Sequence, residues 1–375
     1  FDHSFRSVDL IIDKFEGKMK VHPLRFENFE GRVHYEDDHL IVEDFHGRLG
    51  HSNFKTTLHY YLGENEVVKK RDNHFELFAD RLDLDQLINY NPLPVIKETT
   101  VNHDDGFNIY SIPFSTMTYH LDVGQLNYHK YDIRNFKGAL RTTPDHYIHV
   151  DHLNMDLAGG HFDVDGYFNG SNADKIYFSP EITVKNVDLD KLMFKFENFG
   201  QDHLLSENLH GEFSGKITGK IHMHNDLVPK IDDSEIHLDV NLNHGRLENY
   251  ALLHYMSDYF KNKNLDRVYF DTLNNHVDIV NGEVTLPKMV INSSLGHLEV
   301  SGKQTLDGQM EYYLKIPWKM VTKTAASKLF GKNKKEEVSS DQIDEIQYGS
   351  KKTKYVSVKI VGDENGYRFS LAKDK

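Results

Sequence analysis

Three stretches of the chain carry the same spacing of apolar residues, and this internal repeat constrains the fold more than any other feature. The stretches are HLIVEDFHGRLGHSNF from His39, YIHVDHLNMDLAGGHF from Tyr147 and EVTLPKMVINSSLGHL from Glu283. In each, two apolar residues nine positions apart flank a turn with Gly or Ser: Phe45 and Phe54, Leu153 and Phe162, and Met289 and Leu298. The shared register predicts that the three stretches fold alike.

Two shorter motifs extend the first two copies. ENFEG at residues 27–31 recurs as RNFKG at residues 134–138, and LDLDQL at residues 82–87 recurs as VDLDKL at residues 187–192. Each motif recurs after about 105 residues. We therefore predict three units: a first repeat at residues 1–105, a second at residues 106–212, and a diverged third copy within residues 213–375.

The pattern inside each unit is typical of antiparallel β-meanders. Turn residues recur every eight to twelve positions, and aromatic residues, which favour strands, make up 12% of the chain. The predicted fold class is mainly β: an elongated, twisted antiparallel sheet of repeating meander units that forms an apolar groove, with a few short amphipathic helices. One helix is predicted near residues 248–263, where Leu252, Tyr255, Met256, Tyr259 and Phe260 share a helical face. Short helical turns are predicted at the two DLD motifs.

The predicted strands have one apolar side and one polar side. In HLEVSGKQTLDGQMEYYLKI, from His297 to Ile316, apolar residues alternate with polar ones on both sides of a Leu-Asp-Gly-Gln turn, as in a hairpin. An apolar strand face must be covered by something else. The candidate lining residues of the groove are Leu40, Val42, Phe45, Leu49, Phe54, Ile148, Val150, Leu153, Met155, Leu157, Phe162, Val164, Val284, Leu286, Met289, Ile291, Leu298, Val300, Met310, Tyr312, Leu314 and Ile316.

Charge and motif content argue against several classes of function. The chain has 58 acidic and 44 basic residues and no cysteine, which disfavours nucleic-acid binding and excludes thiolate metal sites. No GxSxG elbow or other nucleophile motif is present, so no catalytic residue is predicted. His222 and His224 alternate on a predicted strand without a third ligand at a recognisable spacing. No metal and no cofactor are therefore expected.

One basic patch stands out in this acidic chain. It lies in a predicted helix or loop near residues 318–350 and contains Lys319, Lys323, Lys328, Lys332, Lys334 and Lys335. Two interpretations stay open: a solvated surface, or a contact with anionic lipid headgroups or an acidic partner.

The sequence resembles the AsmA-like proteins of Gram-negative bacteria. The resemblance covers most of the chain and is strongest from about Leu238 to Pro317, which contains LNHGRLENYALLHYMSDYF and VYFDTLNNHVDIVNGEVTLPKMV, and from Lys351 to Leu371. The DLDKL element and AGGHFDVDGYF are similar to the repeating part of the same family. It implies a bridge-like lipid-transfer protein with repeating β-groove units, located in the periplasm and anchored to the inner membrane through a segment upstream of Phe1. It also implies phospholipid acyl chains as ligands, possible outer-membrane proteins as partners, and a role in lipid transport and outer-membrane integrity.

Two other functions stay open at this level. A structural scaffold of the cell envelope that affects outer-membrane protein assembly would have the same strands with a protein-filled core and no bound lipid. A carbohydrate-binding β protein would require exposed aromatics clustered on the polar side, where Tyr61 and Tyr313 are the residues to consider. The amount of apolar surface left uncovered separates the first of these from a lipid carrier.

Overall fold

The computed structural model describes residues 6–18, 24–87, 108–128, 131–195, 206–256, 265–322, 344–348, 351–363 and 366–372. About 70% of the residues lie in strands, which form a twisted, mixed sheet with only a few short helices. The predicted fold class, mainly β with short helices, is confirmed.

In the described part of the predicted first repeat there are five strands and two helices. Their bounds are β1 (Ser7–Lys18), β2 (Arg25–Glu36), β3 (His39–Leu49), β4 (Ser52–Tyr61), α1 (Glu66–Asp72), β5 (His74–Asp83) and α2 (Leu84–Leu87). The described part of the predicted second repeat contains a 3-10 turn at Ile109–Ser111, β6 (Met117–Tyr128), β7 (Tyr131–Thr143), β8 (Tyr147–Leu157), β9 (Gly160–Asn169), β10 (Tyr177–Asp188), α3 (Leu189–Lys195) and the start of the next strand.

The remaining chain holds the third copy and additional strands. Its elements are β11 (Leu209–His222), a 3-10 turn at Ile231–Asp233, β12 (Glu235–Glu248), α4 (Ala251–Tyr255), β13 (Arg267–Val280), β14 (Glu283–Ser293), β15 (Gly296–Thr305), β16 (Met310–Pro317), a 3-10 turn at Trp318–Met320, β17 (Asp344–Tyr348), β18 (Lys351–Asp363) and β19 (Gly366–Leu371). The strand β17 lies inside the stretch predicted as helix or loop.

Four strands and a final helical turn recur three times. They occur as β2 to α2, as β7 to α3, and as β13 to the turn at Trp318–Met320, and only the first series has an additional helix, α1, between its third and fourth strands. The helical turns predicted at the two DLD motifs are thus confirmed as α2 and α3. Each has an Asp in its first turn, where a negative charge favours the helix dipole: Asp85 in α2 and Asp190 in α3.

The hairpin turns follow from residues that tolerate a left-handed backbone. Asp37 and Asp38 have φ values of 47° and 62° between β2 and β3, and Asn281 and Gly282 have values of 51° and 74° between β13 and β14. Two consecutive positive φ angles match the twist of antiparallel strands, so these two-residue turns fix the register of both hairpins.

The chain divides into two compact units. Unit 1 comprises residues 1–157, 161–183 and 220–230, and unit 2 comprises residues 158–160, 184–219 and 231–375. In unit 1 the strands pair in chain order from β1 to β8. All of these pairs are antiparallel except β5 with β6, which is parallel. The prediction of a wholly antiparallel sheet was wrong at this pair, because β6 begins beside the start of β5 and runs in the same direction, which a short hairpin turn cannot achieve.

In unit 2, β12 to β16 pair in chain order, and β16 pairs with β18, which also pairs with β17 and β19. The hairpin predicted between His297 and Ile316 is confirmed, since Val300 opposes Leu314 and Gly302 opposes Tyr312. The hydrophobic core of unit 2 lies on the apolar side of this hairpin.

Candidate functional site

The apolar sides of the strands β1 to β8 join into one surface of unit 1. The register places two rows of residues directly across neighbouring strands. One row contains Leu10, Val33, Val42, Leu58, Phe75, Tyr119, Leu140 and Val150, and the next contains Ile12, Gly31, Phe45, Thr56, Leu77, Leu121, Gly138 and Leu153. Gly31 and Phe45 are in close contact but lie at a register shift between β2 and β3, whereas the other neighbours in the rows are register partners. We call these two rows, together with Phe15, Phe29, Phe54, Ala79, Val123 and Phe136, the apolar face of unit 1.

Aromatic rings pack tightly at one end of the apolar face of unit 1. The ring of Phe29 lies 5.1 Å from that of Phe26, 5.4 Å from that of Phe45 and 5.7 Å from that of Phe54, measured between centroids. These distances are in the range of favourable edge and tilted contacts. Phe29 is only 4% exposed, so this end of the face is filled by protein.

Helical segments border the apolar face of unit 1 at opposite strand ends. Leu84 of α2 packs with the cluster of Ala79, Val123 and Leu126. At the other end, Ile109 packs with Phe168 and Ile176, and Ile148 lies against this cluster. The two clusters mark the limits of the apolar face along the strand direction.

The middle of the apolar face of unit 1 is left half-exposed. Val42, Leu58 and Leu121 are neither buried nor fully exposed. On β1 the exposed fraction is larger, 53% for Leu10 and 51% for Phe15. Contiguous exposed apolar patches on a protein surface often mark a site that binds a partner or a ligand.

The opposite side of the same strands is polar and held by cross-strand ion pairs. Arg32 lies 3.2 Å from Asp9, Lys137 lies 2.9 Å from Asp122, and Lys55 lies 2.7 Å from Asp44. The hydrogen bond from Lys55 lowers the pKa of Asp44. An open depression of about 860 Å³ lies at the Asn28 end of this sheet, with both acidic and basic residues in its lining. The strands therefore have two distinct faces, as the alternation predicted.

The predicted groove residues of the first two copies fall into two groups. Leu40, Val42, Phe45, Phe54, Val150 and Leu153 lie on or beside the apolar face of unit 1 and are half-buried, as are Leu49, Ile148, Met155 and Phe162. Leu157 and Val164 are instead buried in the protein. The prediction from sequence missed Leu10, Val33, Leu58, Phe75 and Leu121, although the alternation in their own strands could have identified them.

The groove residues predicted in the third copy lie within or beside a core that protein covers. Leu298, Met310 and Ile316 are buried in a cluster with Leu252 and Met256 around α4, and Met320 and Val321 join the same cluster. Val300, Tyr312, Leu314, Val284, Leu286, Met289 and Ile291 are half-buried. Burial raises the pKa of Tyr312 to about 12, and its hydroxyl donates a hydrogen bond of 2.9 Å to Gln304 Oε1. Protein thus covers the apolar side of this hairpin at Leu298, Met310 and Ile316.

The predicted helix and basic patch are only partly described. The face predicted for the helix is buried at Leu252 and Met256, whereas Tyr255 is exposed, and Tyr259 and Phe260 lie outside the described residues. Lys319 is exposed. The other members of the patch, Lys323, Lys328, Lys332, Lys334 and Lys335, lie outside the described residues.

Comparison with models of protein families, with curated proteins and with solved structures finds no match. Among the described residues, no helix has both the length and the hydrophobicity required to cross a bilayer.

Proposed function

We propose that this chain is a non-enzymatic, AsmA-like periplasmic protein that shields phospholipid acyl chains on its apolar face of unit 1. In this role it supports lipid transport between the inner and outer membranes and outer-membrane integrity. The observation that carries the proposal is the half-exposed apolar surface that continues across eight hydrogen-bonded strands. A membrane anchor upstream of the chain and contact of Lys319 and its neighbouring lysines with headgroups are part of the same proposal.

The dimensions of the apolar face of unit 1 suit an acyl chain. Eight strands at the usual spacing span about 34 Å along the sheet. One leaflet of a bilayer core, and hence one acyl chain as it is packed in a bilayer, measures about 15 Å. The face can therefore hold at least one acyl chain at full length in this direction.

The energetics also favour this use of the surface. Exposure of an acyl chain to water costs about 0.8 kcal/mol per methylene, or roughly 12 kcal/mol for a chain of about 16 carbons. A protein surface that covers even part of the chain lowers this barrier. Because the bilayer and the face are both apolar, transfer between them is close to neutral, and its direction must come from elsewhere.

The sharpest test compares two adjacent residues of one strand. Val42 lies on the apolar face of unit 1, whereas Ile41 opposes His34 and His59 on the polar side. A photoreactive benzoylphenylalanine is placed at either position, and the chain is irradiated with vesicles of phosphatidylethanolamine and phosphatidylglycerol. We expect cross-links to phospholipid from position 42 and few from position 41. Equal yields, or none from position 42, would contradict the proposal.

A second test uses exposed positions of β1, where substitution is least harmful to folding. Leu10 and Ile11 are neighbours with exposed fractions of 53% and 65%, and only Leu10 lies on the apolar face of unit 1. Leu10→Asp, combined with Phe15→Asp, should lower the phospholipid that co-purifies in native mass spectrometry. Ile11→Asp is the matched control and should leave it unchanged.

A specific observation favours a second candidate function for unit 2. Its hairpin face is buried under α4 and the turn at Trp318–Met320, as a protein-filled scaffold would require. If the purified chain carries no phospholipid and stays lipid-free after incubation with liposomes, we would assign the whole chain to this scaffold role.

A further inference from the structure

On the polar side of unit 2, the side chains of two histidines and an aspartate lie close together. In the register of β12 with β13, His237 opposes Asp278 and Asp239 opposes His276. The two histidines are therefore diagonal neighbours on the same side of the sheet. Their rings are nearly parallel, with an angle of 13° and a centroid separation of 6.0 Å.

One carboxylate oxygen lies between the two rings. Asp278 Oδ1 is 2.6 Å from His237 Nδ1 and 2.9 Å from His276 Nε2. One ligand atom from each of the three residues lies within 4.8 Å of the other two. Two imidazole nitrogens and a carboxylate oxygen form a ligand set that is used by zinc and similar divalent transition metals.

The outward nitrogens of both rings face further carboxylates. His276 Nδ1 is 2.9 Å from Asp239 Oδ1, and His237 Nε2 is 3.2 Å from Glu235 Oε1. When the outward N–H of a neutral ring donates a hydrogen bond to a carboxylate, the inward nitrogen carries the lone pair that can bind a metal. Metal-binding histidines in proteins are usually held in this way.

We propose that His237, His276 and Asp278 form a binding site for a divalent transition cation of the zinc class, with water completing the coordination. Tetrahedral bonds of about 2.0–2.2 Å place ligand atoms about 3.3 Å apart. The two oxygen–nitrogen distances of 2.6 and 2.9 Å must therefore lengthen by about half an ångström, and the ligand nitrogens, which lie within 4.8 Å of each other, must come to the same separation of about 3.3 Å. The side chains are between 33% and 46% exposed, which leaves the site open to solvent. Two imidazole ligands favour zinc over calcium and magnesium, which prefer oxygen.

The experiment measures Zn²⁺ binding to the untagged chain by calorimetry, with Co²⁺ absorption as the spectroscopic probe of coordination. We expect one cation per chain at this site. His276→Ala and the nearly isosteric Asp278→Asn should each weaken that binding by at least 100-fold. Asp239→Asn, which alters only the partner of His276, should weaken it by about 10–100-fold. Circular dichroism establishes that each variant is folded.

The matched control is His161, because it also has two carboxylates beside its ring. His161 Nδ1 lies 2.7 Å from Asp156 and its Nε2 lies 3.3 Å from Asp163, with one imidazole instead of two. His161→Ala should leave Zn²⁺ binding unchanged. Failure of the wild-type chain to bind Zn²⁺, or equal affinity in the wild type, His276→Ala and Asp278→Asn, would overturn the proposal. Equal affinities of these three proteins would assign the bound metal to other surface histidines.

Discussion

Two asparagines mark the same bend in successive repeats. Asn28 in β2 and Asn135 in β7 have φ values of 53° and 50°. The register of each strand with the next one shifts beside them, which identifies β-bulges. The recurrence of the motifs ENFEG and RNFKG was visible in the sequence, but the bulge was not, since alternation alone gives no signal for an extra residue.

The conformation of Asn28 predicts a specific order of stability. A left-handed backbone costs a residue with a Cβ roughly 1–2 kcal/mol, and Gly avoids this cost. We expect Asn28→Ala to lower the free energy of unfolding by about 1 kcal/mol relative to Asn28→Gly, measured in urea. If the two variants were equally stable, the strain at this bend would be negligible.

His161 predicts a dependence of stability on pH. Its hydrogen bond with Asp156 raises the pKa of His161, and Asp163 adds to the effect. Because the folded-state pKa is the higher one, the stabilisation is complete below the unfolded pKa of about 6.5 and is lost as the pH rises through the folded pKa. The side chain is 38% exposed, so solvent screening limits the contribution to a few tenths of a kcal/mol.

The measurement compares the free energy of unfolding at two pH values, one below and one above the titration of His161. His161→Gln should remove part of the decrease in stability between about pH 6 and pH 8. His152→Gln is the control, because the His152 ring lies 2.8 Å from the Asn154 amide rather than a carboxylate. An equal effect of both variants would contradict the role of the carboxylates.

At the scale of the elements, strands and helical turns follow from the sequence, whereas their partners do not. The period of two, the DLD motifs and the helix around Leu252 are local signals. The meeting of His237 with His276 depends on the register between β12 and β13, which no single stretch encodes. The alternating EIHLD and HVD segments carried a weak signal of polar faces with histidine and acid. The parallel pair β5 with β6 was likewise invisible, because it depends on the path of the connection between them.

Equivalent glycines in the two repeats differ in the atoms that an added Cβ would contact. A Cβ at Gly31 would lie 2.8 Å from Phe45 Cα, and a Cβ at Gly138 would lie 3.1 Å from Leu153 Cδ1. The backbone of Phe45 cannot move aside without distorting β3, whereas the end of the Leu153 side chain can rotate.

Substitution of both glycines by alanine tests this difference. Gly31→Ala should destabilise the protein by about 1–3 kcal/mol, the usual cost of overpacking. Gly138→Ala should cost less than Gly31→Ala. Thermal or urea unfolding of the two variants gives the comparison, and a larger effect at Gly138 would contradict the assigned contacts.

At the scale of the whole molecule, the sequence predicted the fold class and the apolar faces but not which of them protein would cover. The positions of Phe54 and Leu298 are equivalent in the repeat, yet Phe54 is half-buried and Leu298 is buried. The difference arises from α4 and the turn at Trp318–Met320, which come from segments outside the aligned stretches. Periodicity reports which side of a strand is apolar and carries no information on what covers it.

This difference predicts that truncation of an apolar side chain lowers the stability much more in unit 2 than on the apolar face of unit 1. Ile316 is 1% exposed in the core of unit 2, and Leu10 is 53% exposed on the apolar face of unit 1. Ile316→Ala should lower the free energy of unfolding by about 2–5 kcal/mol, whereas Leu10→Ala should change it by less than about 0.5 kcal/mol. Chemical denaturation of both variants provides the measurement. A large loss for Leu10→Ala would mean that this part of the face is a structural core.

The parallel pairing of β5 with β6 determines how repeats can be added. Five antiparallel strands end with β5 running in the direction of β1, and β6 then starts the next repeat in that same direction. The two copies therefore follow one another head to tail, like monomers in a polar polymer. An antiparallel junction would invert every second copy. With the polarity kept, gain or loss of a whole repeat would leave each remaining copy in its original orientation, so such a chain can change its length in evolution without redesign of its strands.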